Sequence, residues 1–314
     1  MKKSGIHFTI LVLFIIAPQN IVKAQELKGN ISISGAFALY PMAIKWAEEF
    51  KKLHPKVKID ISAGGAGKGI TDALSKVIDI GMVSRDINSE EVKKGAYPIA
   101  VTKDAVVPVI NASNPALIEI LSKGLKKESA NNIWITGKAK TWGDAFNIKS
   151  KIAIHVYTRS DASGAAEIWA KYFGKKQEDL LGVGVFGDPG LATAVKKDPL
   201  GIGYNNIGYV YDQKTKKPNA GIKVIPIDLN GNGKIDADED FYNTQDEIIK
   251  AIADGKYPSP PARDLYFVTS GKPQNKLVIE FIRWILDDGQ KYVYESGYIN
   301  LSKEKINKEL EKVK

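Results

Sequence analysis

The chain has 314 residues and carries 45 lysines and arginines against 36 aspartates and glutamates, a formal net charge of +9. It contains no cysteine, which excludes disulfide bonds, cysteine nucleophiles and a lipid-bearing cysteine at an export cleavage site. Charges of both signs are interspersed and no basic stripe is studded with aromatic residues, so the composition indicates a solvated surface and not a nucleic-acid-binding face.

A short basic and then apolar segment opens the chain. Lys2 and Lys3 precede an apolar run at 8–17, which has the size of a signal-peptide core and is far shorter than the roughly 20 residues that span a bilayer. The tripeptide VKA at 22–24 offers small residues of the kind that a signal peptidase reads, so we predict that residues 1–24 are removed. With no cysteine to carry a lipid, we expect the exported chain to be free in a periplasm.

Strand and helix patterns then alternate. Apolar residues at every second position predict strands, and apolar residues three or four apart predict helices. The first elements predicted are strands at 30–34, 57–62 and 78–83 and helices at 41–53 and 67–76. This order is typical of βαβ units in an α/β protein with a mainly parallel sheet.

The same style continues less regularly to the end of the chain. The predicted strands are 105–110, 152–155, 222–227 and 265–268, and the predicted helices are 164–172, 191–197, 275–288 and 302–314. A proline-rich break, YPSPPA at 257–262, is the nearest thing to a linker.

Three strand-to-helix turns share one chemistry. Residues 34–38, 63–67 and 161–165 are built almost entirely of Gly, Ala and Ser, and each immediately precedes a predicted helix. Small residues let an anion approach the backbone, and a helix start offers unpaired N–H groups and the positive end of its dipole. Three such turns meeting at one point would surround a tetrahedral oxyanion.

Two residues at the third turn strengthen this interpretation. Arg159 supplies a planar fork of donors that matches an oxyanion, and Ser163 adds a hydroxyl. Each also has an ordinary alternative, because Ser163 is a good helix N-cap and Arg159 is spaced to form a surface salt bridge with Asp161.

Several long segments resemble the phosphate-binding proteins of ABC phosphate importers. They are SGAFALYPMAIKWAEEF, ISAGGAGKGI, DIGMVSRDI, YTRSDASGAAEIWAKYF, YPSPPARDLYFVTSGKP and WILDDGQKYVYESGYINLS. The resemblance implies a type 2 periplasmic-binding-protein fold, in which two α/β domains joined by two crossovers hold the anion between them. It places one domain at 25–106 plus 259–314 and the other at 107–258.

The resemblance also implies a set of ligand-binding positions. They are Phe37, Ala38, Gly65, Ser84, Arg159, Ser163, Gly164 and Ala165. Four of them depart from the commonest family pattern, since Thr, Ser, Asp and Thr are replaced by Phe37, Gly65, Ser84 and Ala165. The family's Asp accepts the proton of hydrogen phosphate and repels sulfate, so its replacement by Ser84 puts strict selectivity for phosphate in question.

A second motif lies at 228–239, DLNGNGKIDADE. Its residues match the twelve-residue calcium loop, with a Gly at position 6, an apolar residue at 8 and Glu at 12. The predicted ligands are Asp228, Asn230, Asn232, Lys234, Asp236 and Glu239. A strand in place of a helix precedes the loop, so the alternative is an NGNG turn with acidic residues around it. If calcium binds, we expect a structural role and an affinity of roughly 10⁻⁴ to 10⁻³ M.

The sequence offers few of the residues that usually carry out catalysis. The mature chain has two histidines, His54 and His155, and no cysteine, which disfavours a histidine-based triad or a zinc centre. We therefore expect a monomeric binding protein that needs no cofactor, is no enzyme, and passes phosphate to a membrane permease. The alternatives are a binder of sulfate or molybdate, a calcium-dependent adhesion protein, and an exported phosphatase with Ser163 as nucleophile beside Arg159.

Overall fold

A computed structural model describes residues 26–314, so the predicted signal peptide lies outside the described residues. Within this range the chain forms β-strands that are named here in chain order. They are Gly29–Gly35 (β1), Val57–Ala63 (β2), Ile80–Val83 (β3), Ala96–Asn111 (β4), Leu125–Lys126 (β5), His155–Arg159 (β6), Val183–Val185 (β7), Gly201–Asn206 (β8), Ile222–Val224 (β9), Ile227–Asp228 (β10) and Ala262–Ser270 (β11).

The α-helices cover both faces of the sheet. They are Tyr40–Leu53 (α1), Ala66–Leu74 (α2), Ser89–Lys93 (α3), Leu117–Lys123 (α4), Lys127–Trp134 (α5), Trp142–Phe146 (α6), Gly164–Tyr172 (α7), Gly187–Lys197 (α8), Ile207–Val210 (α9), Gln245–Ala253 (α10), Lys276–Leu286 (α11) and Lys303–Glu311 (α12). Short 3₁₀ helices lie at Phe37–Leu39, Gln177–Asp179 and Asp288–Tyr292. None of the helices within 26–314 combines the length and apolarity that a membrane span requires.

One mixed sheet runs through the molecule. Its strand order is β2-β1-β3-β11-β4-β8-β6-β7, and β9 pairs with β4. The βα units give the parallel pairs β1–β2, β1–β3, β6–β7 and β6–β8, whereas β4 and β11 lie antiparallel to their neighbours. The predicted α/β class is confirmed, and the sheet is mixed because β11 and β4 are each antiparallel to the strands on either side of them.

Strand β4 passes from one half of the sheet to the other. Its residues 96–105 pair with β11, and residues 106–110 pair with β8. We call the half from β2 to β11 with its helices the first lobe, and the half from β8 to β7, with β9, the second lobe. The sequence pattern predicted only 105–110 of this strand, because 96–104 contains Pro98, Lys103 and Asp104 among its apolar residues.

Each lobe has its own apolar core. In the first lobe Trp46 and Phe50, on the predicted face of α1, pack with Phe281 of α11. In the second lobe β4 is buried on both faces, because Val107 and Val106 belong to different clusters. Burying both faces explains why this strand reads as a continuous apolar run.

Most predicted elements lie within two residues of the observed ones, and α7 has the predicted bounds. The strand predicted at 152–155 is wrong, because β6 begins only at His155 and continues to Arg159. The strand predicted at 222–227 is interrupted after Val224, where Ile225 donates its N–H to Pro108 O and Pro226 has no N–H to donate.

Candidate functional site

The three small-residue turns meet where the two lobes face each other. Gly35 O at the first turn accepts hydrogen bonds from the N–H groups of Gly64 (2.9 Å) and Gly65 (3.0 Å) at the second. Gly67, one residue into α2, donates its N–H to Ala162 O of the third turn (3.0 Å). Backbone contacts therefore join the first turn to the second, about 30 residues away, and the second to the third, 95 residues away.

Glycine is needed at two points of close approach. Gly65 has φ +95°, and a Cβ there would lie 2.9 Å from both Ala162 O and Asp161 Oδ2. A Cβ on Gly164 would overlap Ser84 Oγ and the Ser84 carbonyl. The serine that the resemblance leads one to expect at 65 would not fit, because Asp161 and Ala162 lie where its side chain would be.

Arg159 is the charged centre of this site. It lies at the end of β6 and is 5% exposed. Its Nε and Nη2 donate to Asp161 Oδ1 (2.8 Å) and Oδ2 (2.6 Å), and its Nη1 donates to Asp188 Oδ2 (2.7 Å). Within 26–314 these bonds account for three of the five guanidinium N–H groups. The surface salt bridge considered as an alternative is thus a buried one, shared with a second carboxylate.

The electrostatics keep Arg159 charged. Burial alone would lower its pKa, but the negative charges of Asp188 and Asp161 and their hydrogen bonds raise it above its ordinary value. Sequence reasoning named Asp161 and missed Asp188, which lies in the first turn of α8. The sequence signal for Asp188 was weak, since it reads as an ordinary acidic residue at a helix start.

Ser163 is the N-cap of α7, as its ordinary interpretation predicted. Its Oγ accepts hydrogen bonds from the N–H groups of Ala165 (3.2 Å) and Ala166 (3.3 Å). Its own N–H donates to Gln177 Oε1 (2.9 Å), and Gln177 Nε2 donates to Asp161 O (2.6 Å). Gln177 therefore clamps the third turn, and the Ser163 hydroxyl keeps its proton available for a ligand.

Two carboxylates near the site could accept a ligand proton, and they occupy different environments. The Asp161 side chain is 6% exposed and adjoins the second turn at Gly65, whereas the Asp86 side chain is 61% exposed and pairs with Lys171 across the mouth of the cleft. Ser84, at the end of β3, is buried and packed against Gly164. Of these two carboxylates, Asp161 is the one that lies in the third turn and adjoins the second.

Phe37 and Ala38 form the first wall of the site. They lie in the 3₁₀ helix that follows β1, and their carbonyl oxygens accept hydrogen bonds from Tyr209 Oη (2.9 Å) and Tyr298 Oη (2.7 Å) respectively. Burial raises the pKa of both tyrosines well above its ordinary value, so both stay protonated donors. The two tyrosines hold the first turn from opposite sides.

A buried polar chain extends from Arg159 to the crossover strands. Asp188 also accepts from Asn206 Nδ2, Asn206 Oδ1 accepts from Arg263 Nη2, and Arg263 Nη2 lies 3.5 Å from Asp104 Oδ2. These residues belong to the second lobe, β11 and β4. The sequence signal for Asp104 is an aspartate directly before an apolar strand, which sequence reasoning passed over.

The predicted calcium loop folds as a compact turn. Asp228 accepts from the N–H groups of Gly231 and Gly233 (both 2.7 Å), and Glu239 Oε1 accepts from the N–H groups of Leu229 (2.8 Å) and Asn230 (3.1 Å). Within 26–314 no group of three or more His, Cys, Asp or Glu side chains is arranged to hold a metal ion. The carboxylates are thus turned towards backbone donors, which matches the alternative interpretation of this segment.

The remaining loop ligands face one another. Asn230 Nδ2 (3.0 Å) and Asn232 Nδ2 (2.7 Å) donate to Asp236 Oδ2, and Lys234 Nζ lies 2.6 Å from Asp236 Oδ1. The hydrogen bond from Lys234 and those from the two amides lower the pKa of Asp236 to about 2. The donor set is all oxygen and suits Ca²⁺, but a cation would have to displace these contacts.

Comparison with known proteins gives a consistent picture. The model of the PBP superfamily domain matches residues 22–289 of the chain. Among curated proteins, the chain is similar to the phosphate-binding protein PstS of Pseudomonas aeruginosa, at 27% identity over 309 residues, 89% of this chain and 85% of that protein. It is also similar to PstS of Xylella fastidiosa, at 26% identity over 310 residues, 88% of this chain and 83% of that protein.

Solved structures share the fold. A candidate phosphate ABC transporter substrate-binding protein of Clostridium perfringens, with bound phosphate, aligns with a TM-score of 0.69 at 23% identity over 87% of this chain and 100% of that one. An ABC-type phosphate transport receptor of Vibrio cholerae aligns with a TM-score of 0.61 at 21% identity over 86% of this chain and 100% of that one. These alignments show that the fold of the chain is shared with solved binding proteins.

Proposed function

The chain belongs to the PBP superfamily, and we propose that it captures inorganic phosphate between its two lobes and delivers it to an ABC importer. The observation that carries this proposal is the convergence of three small-residue turns beside a buried arginine that is paired with two aspartates. Such a site neutralises an oxyanion by charge and by backbone donors. The PstS relatives bear the name of phosphate-binding proteins, which favours this oxyanion over sulfate or molybdate.

The ligand shell we propose combines both lobes. It comprises Phe37, Ala38, Gly65, Ser84, Arg159, Ser163, Gly164 and Ala165. The amide of Gly65 donates to Gly35 O and the amide of Ala165 to Ser163 Oγ, so these two would contribute only if an anion drew them away or shared them. Arg159 and the Ser163 hydroxyl are therefore the principal donors of the proposal.

The proposal extends to the organisation of the chain. We assign residues 25–106 and 259–314 to one domain and 107–258 to the other, with β4 and the segment before β11 as the crossovers. Residues 1–24 would direct export, and the mature chain would act as a monomer in the periplasm and dock on the importer's permease. The solved structures of similar fold that are named as an ABC transporter substrate-binding protein and a phosphate transport receptor support this role.

An exported phosphatase is the enzymatic alternative, and the geometry disfavours it. In the part of the chain that the structure describes, the Ser163 hydroxyl contacts two backbone amides, and no His, Asp or Glu side chain accepts its proton. A serine nucleophile needs such a base to become reactive. We propose binding without catalysis.

Calorimetry tests the function directly. Residues 25–314 are titrated with phosphate, sulfate, arsenate and molybdate, and one phosphate is expected to bind per chain. Arg159→Gln should weaken phosphate binding by about 2–4 kcal/mol through the loss of charge-assisted hydrogen bonds in a desolvated site. Arg283→Gln is the matched control, because Arg283 is an exposed arginine of α11 that pairs with Glu280. The assignment would be refuted if the wild type gave no heat of binding with phosphate, or if Arg159→Gln bound phosphate with undiminished affinity.

We also propose that the 228–239 loop binds calcium as a structural ion. Its oxygen donors follow the calcium-loop spacing, with Asp228, Asn230, Asn232, Lys234 (through its carbonyl), Asp236 and Glu239 as ligands. Ile235, the apolar residue at loop position 8, donates its N–H to Ser122 O (3.0 Å) and so anchors the loop to the α4 end. No cofactor is needed for phosphate capture in this proposal.

A further inference from the structure

Phe37 belongs to the first lobe but makes its ring contacts with the second. Its ring meets the ring of Phe186 edge-on, with centroids 5.7 Å apart and planes at 86°. Gly187 lies beneath it at φ +72°, and a Cβ there would come within 3.0 Å of Phe37 Cζ. The ring therefore lies in a notch of the second lobe that only a glycine leaves open.

The same ring covers the charged centre of the site. The Arg159 guanidinium carbon lies 5.5 Å from the Phe37 ring centroid, within the range of a cation–π interaction. Asp161 and Asp188 hold the guanidinium edges. Phe37 is thus a first-lobe side chain that contacts the second-lobe arginine directly.

The contacts of Phe37 differ from those of a core aromatic. Phe186 is 61% exposed, so the pair sits at the rim of the cleft where lobe separation would part it. Tyr209 Oη, also of the second lobe, binds the Phe37 carbonyl. All of these partners lie across the cleft, so their contacts with Phe37 are lost together when the lobes separate.

We propose that Phe37 is a positioning residue that latches the second lobe over the bound anion by seating its ring between Arg159, Phe186 and Gly187. The inference rests on the proposed phosphate-binding function. The Phe37 ring offers no hydrogen-bond donor to the anion, so it acts by stabilising the closed form around it. The effect of Phe37 on affinity therefore comes through closure and a slower release of the anion.

A double-mutant cycle tests the latch. Phosphate titrations and stopped-flow release are measured on residues 25–314 for the wild type, Phe37→Leu, Phe186→Leu and the double variant. We expect Phe37→Leu to weaken binding about tenfold, chiefly through faster release, since aromatic-pair and cation–π contacts are lost together. The double variant should bind phosphate no more weakly than Phe37→Leu, because both substitutions remove the same ring–ring contact. The melting temperature without phosphate should stay unchanged.

Two variants outside the proposed ligand shell keep the test decisive. Phe186→Leu carries the test if Phe37→Leu fails to fold, because it removes the ring pair from the second lobe and should weaken phosphate binding through faster release. Tyr294→Leu is the matched control, because Tyr294 is a 50% exposed aromatic that contacts Asp246 and none of the three turns.

The outcomes separate the two proposals. A wild type that binds no phosphate refutes the function, whatever the variants do. A wild type that binds phosphate while Phe37→Leu binds equally well, or while the two leucine substitutions act additively, overturns the latch. An equal loss of melting temperature and affinity would also overturn it, since that would make Phe37 an ordinary packing residue.

Discussion

Asp104 and Arg263 carry opposite charges where the chain passes between the lobes, and both are buried. Asp104 is 1% exposed and Arg263 is 5% exposed, and within 26–314 neither Asp104 oxygen accepts a hydrogen bond of ordinary geometry. Burial raises the pKa of Asp104 to about 7, although the Arg263 charge and the nearby N–H groups of Ala105 and Ile207 lower it and Asp188 raises it further. A carboxylate whose pKa is raised by folding destabilises the folded state wherever it is ionised.

This burial predicts a pH dependence of stability. Below about pH 4 Asp104 is protonated in both states, and between about 4 and 7 only the unfolded state loses the proton, so the free energy of unfolding should fall as pH rises. Asp104→Asn should remove up to about 4 kcal/mol of this pH-dependent loss of unfolding free energy. That upper limit corresponds to a pKa raised by about three units in the folded state. Denaturant unfolding at pH 5, 6, 7 and 8 measures it, with the exposed Asp254→Asn as control. Parallel pH profiles for wild type and Asp104→Asn would contradict the prediction.

Ser84 shows what a substitution seen in the sequence does not reveal. The family resemblance predicts an aspartate where this sequence has Ser84, and from that replacement one expects weaker rejection of sulfate. The structure adds that Ser84 packs directly on Gly164, so a larger side chain would separate the lobes at this point. It also adds a buried carboxylate, Asp161, beside the second turn. The space available to the side chain at 84 and the charge of Asp161 near it both depend on contacts between residues about 80 positions apart. No local sequence pattern predicts such contacts.

At the scale of elements, sequence patterns predicted the helices and strands that are determined by interactions between neighbouring residues. Helix α7 has the predicted bounds, because a serine N-cap and an apolar face fix it within nine residues. The first part of β4, residues 96–104, was not predicted, because it is a strand owing to its pairing with β11, 159 to 174 residues away. The three turns were identified by composition, but their meeting point and the Asp188 and Gln177 contacts result from tertiary packing.

The calcium loop is the element whose two interpretations an experiment can separate. With an affinity of roughly 1 mM, 10 mM calcium should raise the melting temperature by about 3 °C through binding to the folded state. Asp236→Asn should abolish the rise, because Asp236 at loop position 9 holds Asn230 and Asn232 in the structure. Asp238→Asn, an exposed neighbour at a non-ligand position, is the matched control. Scanning calorimetry with and without calcium measures the shift. If the melting temperature of the wild type does not respond to calcium, the segment is a turn that binds no calcium.

At the scale of the whole molecule, β4 runs from one lobe into the other, and the contacts across the cleft cluster around the three turns. They include Gly67 with Ala162, Gly164 with Ser84, Lys171 with Asp86, and Phe37 with Tyr209, Phe186 and Arg159. Each lobe keeps its own core, so separation exposes little apolar surface. Such a molecule can open at the crossovers without unfolding either lobe.

Closure should therefore depend on the anion, and small-angle scattering can show it. A compact chain of 290 residues has a radius of gyration of about 19 Å, and phosphate should bring residues 25–314 close to that value from a larger one. The physical reason is that the ligand shell we propose has groups of both lobes, so the anion would bind the closed form more tightly and shift the population towards it. Arg159→Gln in the same phosphate buffer should stay expanded, because it loses the second lobe's charged donor. Scattering curves that coincide with and without phosphate, once binding is verified by calorimetry, would show that the crossovers hold the lobes together in both states.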